Sequence, residues 1–547
     1  MALNKFFYNG RILTRTDTEC NGPVNLADSM LVQCEKITAI GSHLDIADSL
    51  KDLEVHDLKQ RVVLPSFIDG HMHLLVLGQS LRKVDLTKCN NLDDIRSTIK
   101  VFATANPDVA TIMCKGWMHF MTPEGVSAAM IDDIDPRPIF IDNSTLHSCW
   151  CNTTALKILD IDDMPDPAGG KIYRDTKGKP SGLLDEGAMM SVIWPFQARS
   201  SPKEERIAAI RDAVQAYNAS GYTGLVEMAM DEEAWDALVT LNAEEPDLAI
   251  RIAAYWLIRL TEDLKENQRQ VQRAGELRRE FNSTTSPNLR LVGVKLICDG
   301  IIDACTAYLS QPYSPLPACC PPPIWGRDYL EPVVKEVDAL GLQIALHAIG
   351  DAAIKMAIDV LERYGTPGRR HRIEHLELAS PRDAQRLGEL GLTASIQPVH
   401  ADPSILQDWP KLLGTDRCDR AFAYREFADA GALMALGSDS PTSPWLPLHN
   451  LYVATTRQSS RKPGYGKPVN KHFRLGLFEA IVAATEGAAR SVFEDRTGIL
   501  SVGKLADFVV VDMSLDPAKL LEARVKETWF EGRQVWSGEK EEVTDVA

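Results

Sequence analysis

Eight short apolar runs, each the length of a β-strand, recur along this chain from residue 62 onward, and that series limits its fold more than any other feature. They occupy residues 62–68, 222–228, 250–258, 289–297, 342–347, 372–376, 393–397 and 432–436. Helical periodicity follows several of them, as at 352–364 and 381–390. Apolar strands alternating with amphipathic helices are what a parallel sheet sheathed in helices requires, so the pattern predicts an α/β fold built on a closed (β/α)8 TIM barrel.

A chain of 547 residues exceeds one ordinary core, so a catalytic barrel at 65–493 with smaller units is expected. The gap between the first and second runs, about 150 residues, is too long for a loop. Further strand candidates within it, at 109–114 and 138–141, predict an α/β insertion after strand 1, at approximately 80–205 and covering the barrel mouth. Both chain ends alternate apolar and polar residues between turn signals such as Asn9-Gly10. A β-sandwich assembled from 1–64 and 494–547 follows.

With 76 acidic against 59 basic residues the formal net charge is −17, and no Lys/Arg block was evident against it. Electrostatic attraction to nucleic acid or to an anionic membrane is therefore not expected. The N-terminus lacks an apolar core of signal-peptide length and no stretch reaches membrane-span length, which predicts a soluble cytoplasmic protein. The 11 cysteines, with close pairs only at Cys149/Cys151 and Cys319/Cys320, read as reduced structural thiols.

Active sites of such barrels lie at the C-terminal ends of the strands. There the chain places His71 and His73 on strand one, Lys295 late in strand four, His347 on strand five, His375 on strand six and Asp439 after strand eight. Because a strand alternates faces, His71 and His73 can turn both imidazoles to one cation. Lys295 stands in an apolar run where an unpaired ammonium is costly. A depressed pKa would free its amine to form a carbamate with carbon dioxide, an anionic ligand able to bridge two cations; pairing with Asp299 or Glu227 is the plainer alternative. His347 or His375 alone would read as a core histidine, and Asp439 alone as a turn residue. All six at strand ends point to a metal site.

The motifs LPSFIDGHMH (64–73), GGKIYRD (169–175), VKLICDG (294–300), HAIGD (347–351), RIEH (372–375), SIQPVH (395–400) and GSDSP (437–441) span nearly the whole chain. Together they resemble the amidohydrolase superfamily, and within it amidohydrolase family 3, the YtcJ-like group that includes N-substituted formamide deformylases. GKLADFVVVD (503–512) is similar to that family's returning sandwich segment. The resemblance implies that His71, His73, His347, His375 and Asp439 bind a divalent metal, usually zinc, with Lys295 as a carboxylated bridging ligand. Six donors exceed one tetrahedral shell, leaving one or two ions open. The chain departs from the pattern at Glu227, where an aspartate is expected, and at DNSTLHSCW (142–150), a looser form of a histidine-bearing motif.

The reaction expected is attack of metal-bound hydroxide on a small-molecule amide, with Asp439 carrying the proton from water to the leaving nitrogen. His147 and His400 are candidates for holding substrate or the oxyanion. Trp117, Trp150, Tyr308 and Trp325 are candidate pocket residues, with core packing an equal alternative. Asp299 would support the ligands or pair with Arg372. Deamination, lactone or ester opening, or a non-catalytic small-molecule-binding role are the competing readings, and a homodimer is compatible with the family.

Overall fold

The computed structural model describes residues 4–14, 25–42, 53–144, 146, 148–167, 170–316 and 320–538. Its largest sheet has eight parallel strands: β1 (Phe67–Met72), β2 (Tyr222–Met230), β3 (Arg251–Leu257), β4 (Leu289–Ile297), β5 (Gln343–Ala348), β6 (Arg372–His375), β7 (Thr393–Ile396) and β8 (Leu433–Leu436). Neighbours in sequence are neighbours in the sheet, and a parallel bridge from Met72 to Ser440 joins its two ends. This is the (β/α)8 barrel.

The β1–β8 seam is close. A Cβ on Gly70 would lie 2.6 Å from the Leu436 carbonyl oxygen, and one on Gly437 would lie 2.4 Å from the His71 nitrogen. Only glycine lets these backbones approach so near, and the approach brings the turn after β8 against the end of β1.

The first apolar run is divided between two structures. Residues Val62–Pro65 pair antiparallel with Phe508–Asp512 and parallel with Arg11–Thr14, outside the barrel, and β1 begins only at Phe67. Pro65 has no N–H for a ladder, and the next amides change partners: Ser66 N donates to Asp507 O (3.2 Å) and Phe67 N to Gly221 O (3.0 Å). The chain steps there from one sheet to another.

The outer β-structure is a sandwich from both chain ends. A six-stranded sheet runs Arg533–Ser537, Arg524–Phe530, Phe508–Asp512, Val62–Pro65, Arg11–Thr14 and Asn25–Ala27 in spatial order. A four-stranded sheet holds Lys36–Gly41, Ser29–Gln33, Asn4–Tyr8 and Leu53–Asp57. Phe7, Phe508 and Trp529 meet between them with ring centroids 4.9–5.4 Å apart. Arg251 on β3 ties sandwich to barrel through Asp507 and through Glu531 at 2.7 Å, with its guanidinium 4.3 Å from the Phe530 ring centroid.

A second compact unit comprises Leu74–Ala213 with the helix Glu232–Glu244. It contains a six-stranded mixed sheet in the order Gly170–Arg174, Pro180–Glu186, Ser148–Cys151, Ile139–Asn143, Ile112–Trp117 and Val84–Asp85. Alternating burial along Ile112–Trp117 places Ile112 and Cys114 in its core. Among the described residues no helix is long and apolar enough to cross a membrane.

Candidate metal centre

Seven barrel strands, or the segments that follow them, bring ionisable side chains to the C-terminal face. His71 stands at the end of β1 and is 1% exposed, and its Nδ1 donates to Glu374 Oε2 on β6 at 2.7 Å. That bond leaves Nε2 as the free ring nitrogen, aimed at Asp439 Oδ1 at 3.4 Å. His73 Nε2 lies 3.1 Å from the same Asp439 oxygen, and its Nδ1 is 3.9 Å from Glu227 on β2. One carboxylate oxygen thus collects two imidazoles, the donor arrangement a divalent cation satisfies.

Asp439 is placed by the seam between β1 and β8. Asp69 accepts from Ser438 N (2.8 Å), Ser438 Oγ (2.6 Å), Tyr217 OH (3.1 Å) and His71 N (3.2 Å). Asp439 N donates to His71 O at 2.7 Å. Asp439 adopts φ 56°, a left-handed conformation costly for aspartate, which those bonds enforce. Burial would raise its pKa, but His71 and His73 outweigh that and hold it well below the usual carboxylate range. The same charges act in reverse on His73: burial lowers it, yet the Asp439 bond and the Asp439 and Glu227 charges leave it above its ordinary value.

Lys295 is 3% exposed on β4, and among the described residues its Nζ has no hydrogen-bond partner. Burial pulls the ammonium down to about 8, against the pull of Glu374 and Asp439. Pairing with Asp299 or Glu227 does not occur. His347 and His375 pack ring to ring with centroids 4.3 Å apart, and His375 is 5.0 Å from His71. Burial, with Lys295 next in weight, drives His347 to about 3; burial and His347 drive His375 far below its ordinary value. Both are neutral imidazoles, the ligand form, and among the described residues the buried His375 Nδ1 has no partner. Two unpartnered buried nitrogens beside a shared carboxylate fit a metal centre.

A second donor group, His375, Glu377 and His400, adjoins the first. His400 stacks parallel on His375 at 5.8 Å and approaches both Asp439 Oδ2 and Glu377 Oε1 at 3.6 Å.

The sequence matches the amidohydrolase family model over residues 54–536. The chain belongs to that family. It is 30% identical to Protein LONG AFTER FAR-RED 3 of Arabidopsis thaliana, over 96% of this chain and 91% of that one. It is 24% identical to an N-substituted formamide deformylase of Arthrobacter pascens, over 92% and 94%. In structure it resembles an uncharacterized metal-dependent hydrolase from Pyrococcus horikoshii, with TM-score 0.76, 25% identity and coverage of 97% and 100%.

In this amidohydrolase the six candidate ligands all reach one end of the barrel. Asp299 does not pair with Arg372. It accepts from Gly350 N (2.9 Å), Tyr308 N (3.0 Å) and Ile349 N (3.1 Å) and lies 3.6 Å from His347 Nε2, while burial raises it to about 7. Arg372 pairs instead with Glu374 at 2.8 Å, its neighbour on the same strand face, and reaches Gly70 O (2.6 Å) and Ser395 Oγ (2.8 Å). Tyr308 meets this region through its backbone N–H, and Trp325 is buried. Trp117 and Trp150 are core residues of the second unit, their indoles bonded to Thr122 Oγ1 (3.1 Å) and Ser127 O (2.9 Å). His147 lies outside the described residues.

Sequence reasoning missed Glu374, Asp69 and Glu377. Strand alternation from Arg372 was the available sign for Glu374. His375 and Leu376 leave that alternation at φ 76° and 55°, so Glu374 and His375, adjacent in sequence, both approach His71.

Proposed function

We propose that the protein is a metal-dependent hydrolase of a non-peptide carbon–nitrogen bond, an amide of the N-formyl or N-acyl amine class. The observation that carries this reading is the sharing of one Asp439 oxygen by His71 and His73, beside the unpartnered Lys295 amine. The formamide deformylase among the relatives supports the amide class.

His71, His73, His347, His375 and Asp439 would hold the metal, and imidazole with carboxylate favours zinc. A carbamate on Lys295 would complete a two-ion site. Its neutral nitrogen bonds to the carbon of carbon dioxide, one C=O pair moves to oxygen, and the nitrogen sheds a proton. When bound, the metal supplies a Lewis acid for the carbonyl oxygen and acidifies water.

Asp439 accepts the proton of the attacking water and returns it to the departing nitrogen, so the water oxygen ends on the acyl carbon and the amine leaves neutral. Glu374 holds His71 in the tautomer that presents Nε2. His400, near Asp439 Oδ2, would donate to the oxygen that gains charge.

Amine release from a panel of N-formyl and N-acyl amines, assayed beside the metal content of the purified protein, tests the proposal. Turnover that a chelator removes and a divalent metal restores is expected. A metal-free protein, inert toward the panel with and without added zinc, would refute it.

A further inference from the structure

Against the expectation that no Lys/Arg block interrupts the acidic background, one stretch does. No acidic residue stands between Asp439 and Glu479, and residues 457–474 carry Arg457, Arg461, Lys462, Lys467, Lys471 and Arg474. In a chain of net charge −17, a cationic stretch beginning shortly after a candidate ligand is an electrostatic anomaly.

The fold brings the start of that stretch to the barrel mouth. In the helix Pro447–Thr456, Asn450 accepts from Val399 N beyond β7 (3.1 Å) and donates to Gly437 O beyond β8 (2.8 Å). The following loop is closed at its base by Val469 N to Arg457 O (3.0 Å) and Arg457 Nε to Val469 O (2.9 Å). Asp402, two residues past His400, accepts from Ser460 N (2.8 Å) and Arg461 N (3.1 Å) with one oxygen. Its other oxygen takes Ser404 N (2.9 Å) and Oγ (2.8 Å). The carboxylate nearest Arg461 is thereby engaged by backbone and hydroxyl groups.

The exposed Arg461 side chain donates to Ser443 Oγ at 3.1 Å. Ser443 follows the turn that Thr442 N closes onto Asp439 O at 3.0 Å. Among the described residues the guanidinium has no carboxylate within ion-pair distance, the Asp402 charge acting on it only from farther off, and its one side-chain hydrogen bond leaves further donors open. A guanidinium with open donors a short turn from Asp439 has the geometry and charge to receive a carboxylate.

We propose that the substrate is an anionic amide whose carboxylate, remote from the scissile bond, is taken by Arg461, with Lys462 and Lys467 adding to the attractive field. The substrate class rests on the hydrolase reading above. The anion site does not.

The test compares N-formylbenzylamine with its ring-carboxylated analogue N-formyl-4-(aminomethyl)benzoate, on wild type, Arg461→Gln and Arg461→Lys. The readout is the ratio of kcat/KM for the charged over the neutral substrate. That ratio is expected to fall about tenfold in Arg461→Gln, mainly through KM, and to recover in part in Arg461→Lys. Calorimetric binding of 4-methylbenzoate against 4-methylbenzamide is read in parallel. If neither formamide is hydrolysed but 4-methylbenzoate binding depends on Arg461, the formamide assignment falls and the anion site stands. An unchanged ratio, or 4-methylbenzoate bound equally by wild type and Arg461→Gln, overturns the anion site.

Discussion

An ammonium enclosed by a barrel, with two carboxylates in its field and no hydrogen-bond acceptor, is a poor stabilising element, so Lys295 is better understood through its amine. Replacing it with alanine should lower bound metal about tenfold or more, and turnover with it, as metal analysis would read. Carbon-13 NMR in labelled bicarbonate should give a carbamate resonance in wild type and none in the variant; its absence from both would end the carbamate proposal. Glu374 bonds both His71 and Arg372, and burial, which would raise it, is outweighed by Arg372 and His71. Glu374→Ala should weaken metal binding about 10–100-fold and, by stranding Arg372, destabilise by about 3–5 kcal/mol. Urea unfolding of the metal-free protein would separate the two effects. His71, His73, Lys295 and Asp439 were legible in the sequence because polar side chains at barrel strand ends stand out against apolar runs. Asp69 was not, since a carboxylate beside a ligand carries no mark of the backbone amide it will hold, and Glu374 was marked only by its alternation with Arg372, which says nothing of the imidazole it also holds. The suggested Arg372–Asp299 pair failed for a related reason: residues two apart on a strand share a face, so Glu374 reaches Arg372 first.

Strands were easier to find than their ends. Six of the eight apolar runs match barrel strands to within a residue or so at each end, but the first conceals a crossing from sandwich to barrel at Pro65 and Ser66, where backbone partners change within an unbroken apolar stretch. Periodicity reports burial, and both sides of that crossing are buried. Packing between elements also sets a pH dependence. His371, just before β6, accepts from Ile344 N on β5 at 3.1 Å and lies 3.1 Å from Asp338 in the helix Arg327–Ala339. Burial lowers it to about 4, against the pull of Asp338. A histidine lowered on folding stabilises above its unfolded value of about 6.5 and loses that contribution as pH falls toward 4. The loss is up to about 3 kcal/mol. Unfolding free energy measured from pH 7 to 4 should show it, and His371→Gln, whose carbonyl can accept from Ile344 N, should flatten that part of the curve. An identical pH profile in the variant would remove His371 from the account.

At the scale of the molecule, chain ends nearly 500 residues apart close one sandwich, and the barrel between them is joined to it by Arg251, Asp507 and Glu531. Asp507 is fully buried, and burial raises its pKa in spite of Arg251. Arg251→Ala leaves that carboxylate without its guanidinium and should cost about 3–5 kcal/mol, read as an earlier urea midpoint. Alternation at the two termini was enough to foresee a sandwich, and a gap too long for a loop was enough to foresee an insertion. Which strands join which sheet depends on contacts between distant residues, and no local pattern carries that. Whether Asp439 with His71 and His73 forms a hydrolytic metal centre is decided by amine release and metal content in wild type and Asp439→Asn. Bound divalent metal and metal-dependent turnover are expected in wild type, with turnover at least about 100-fold lower in the variant. Turnover equal in the two proteins, or unaffected by complete removal of metal, would contradict that assignment.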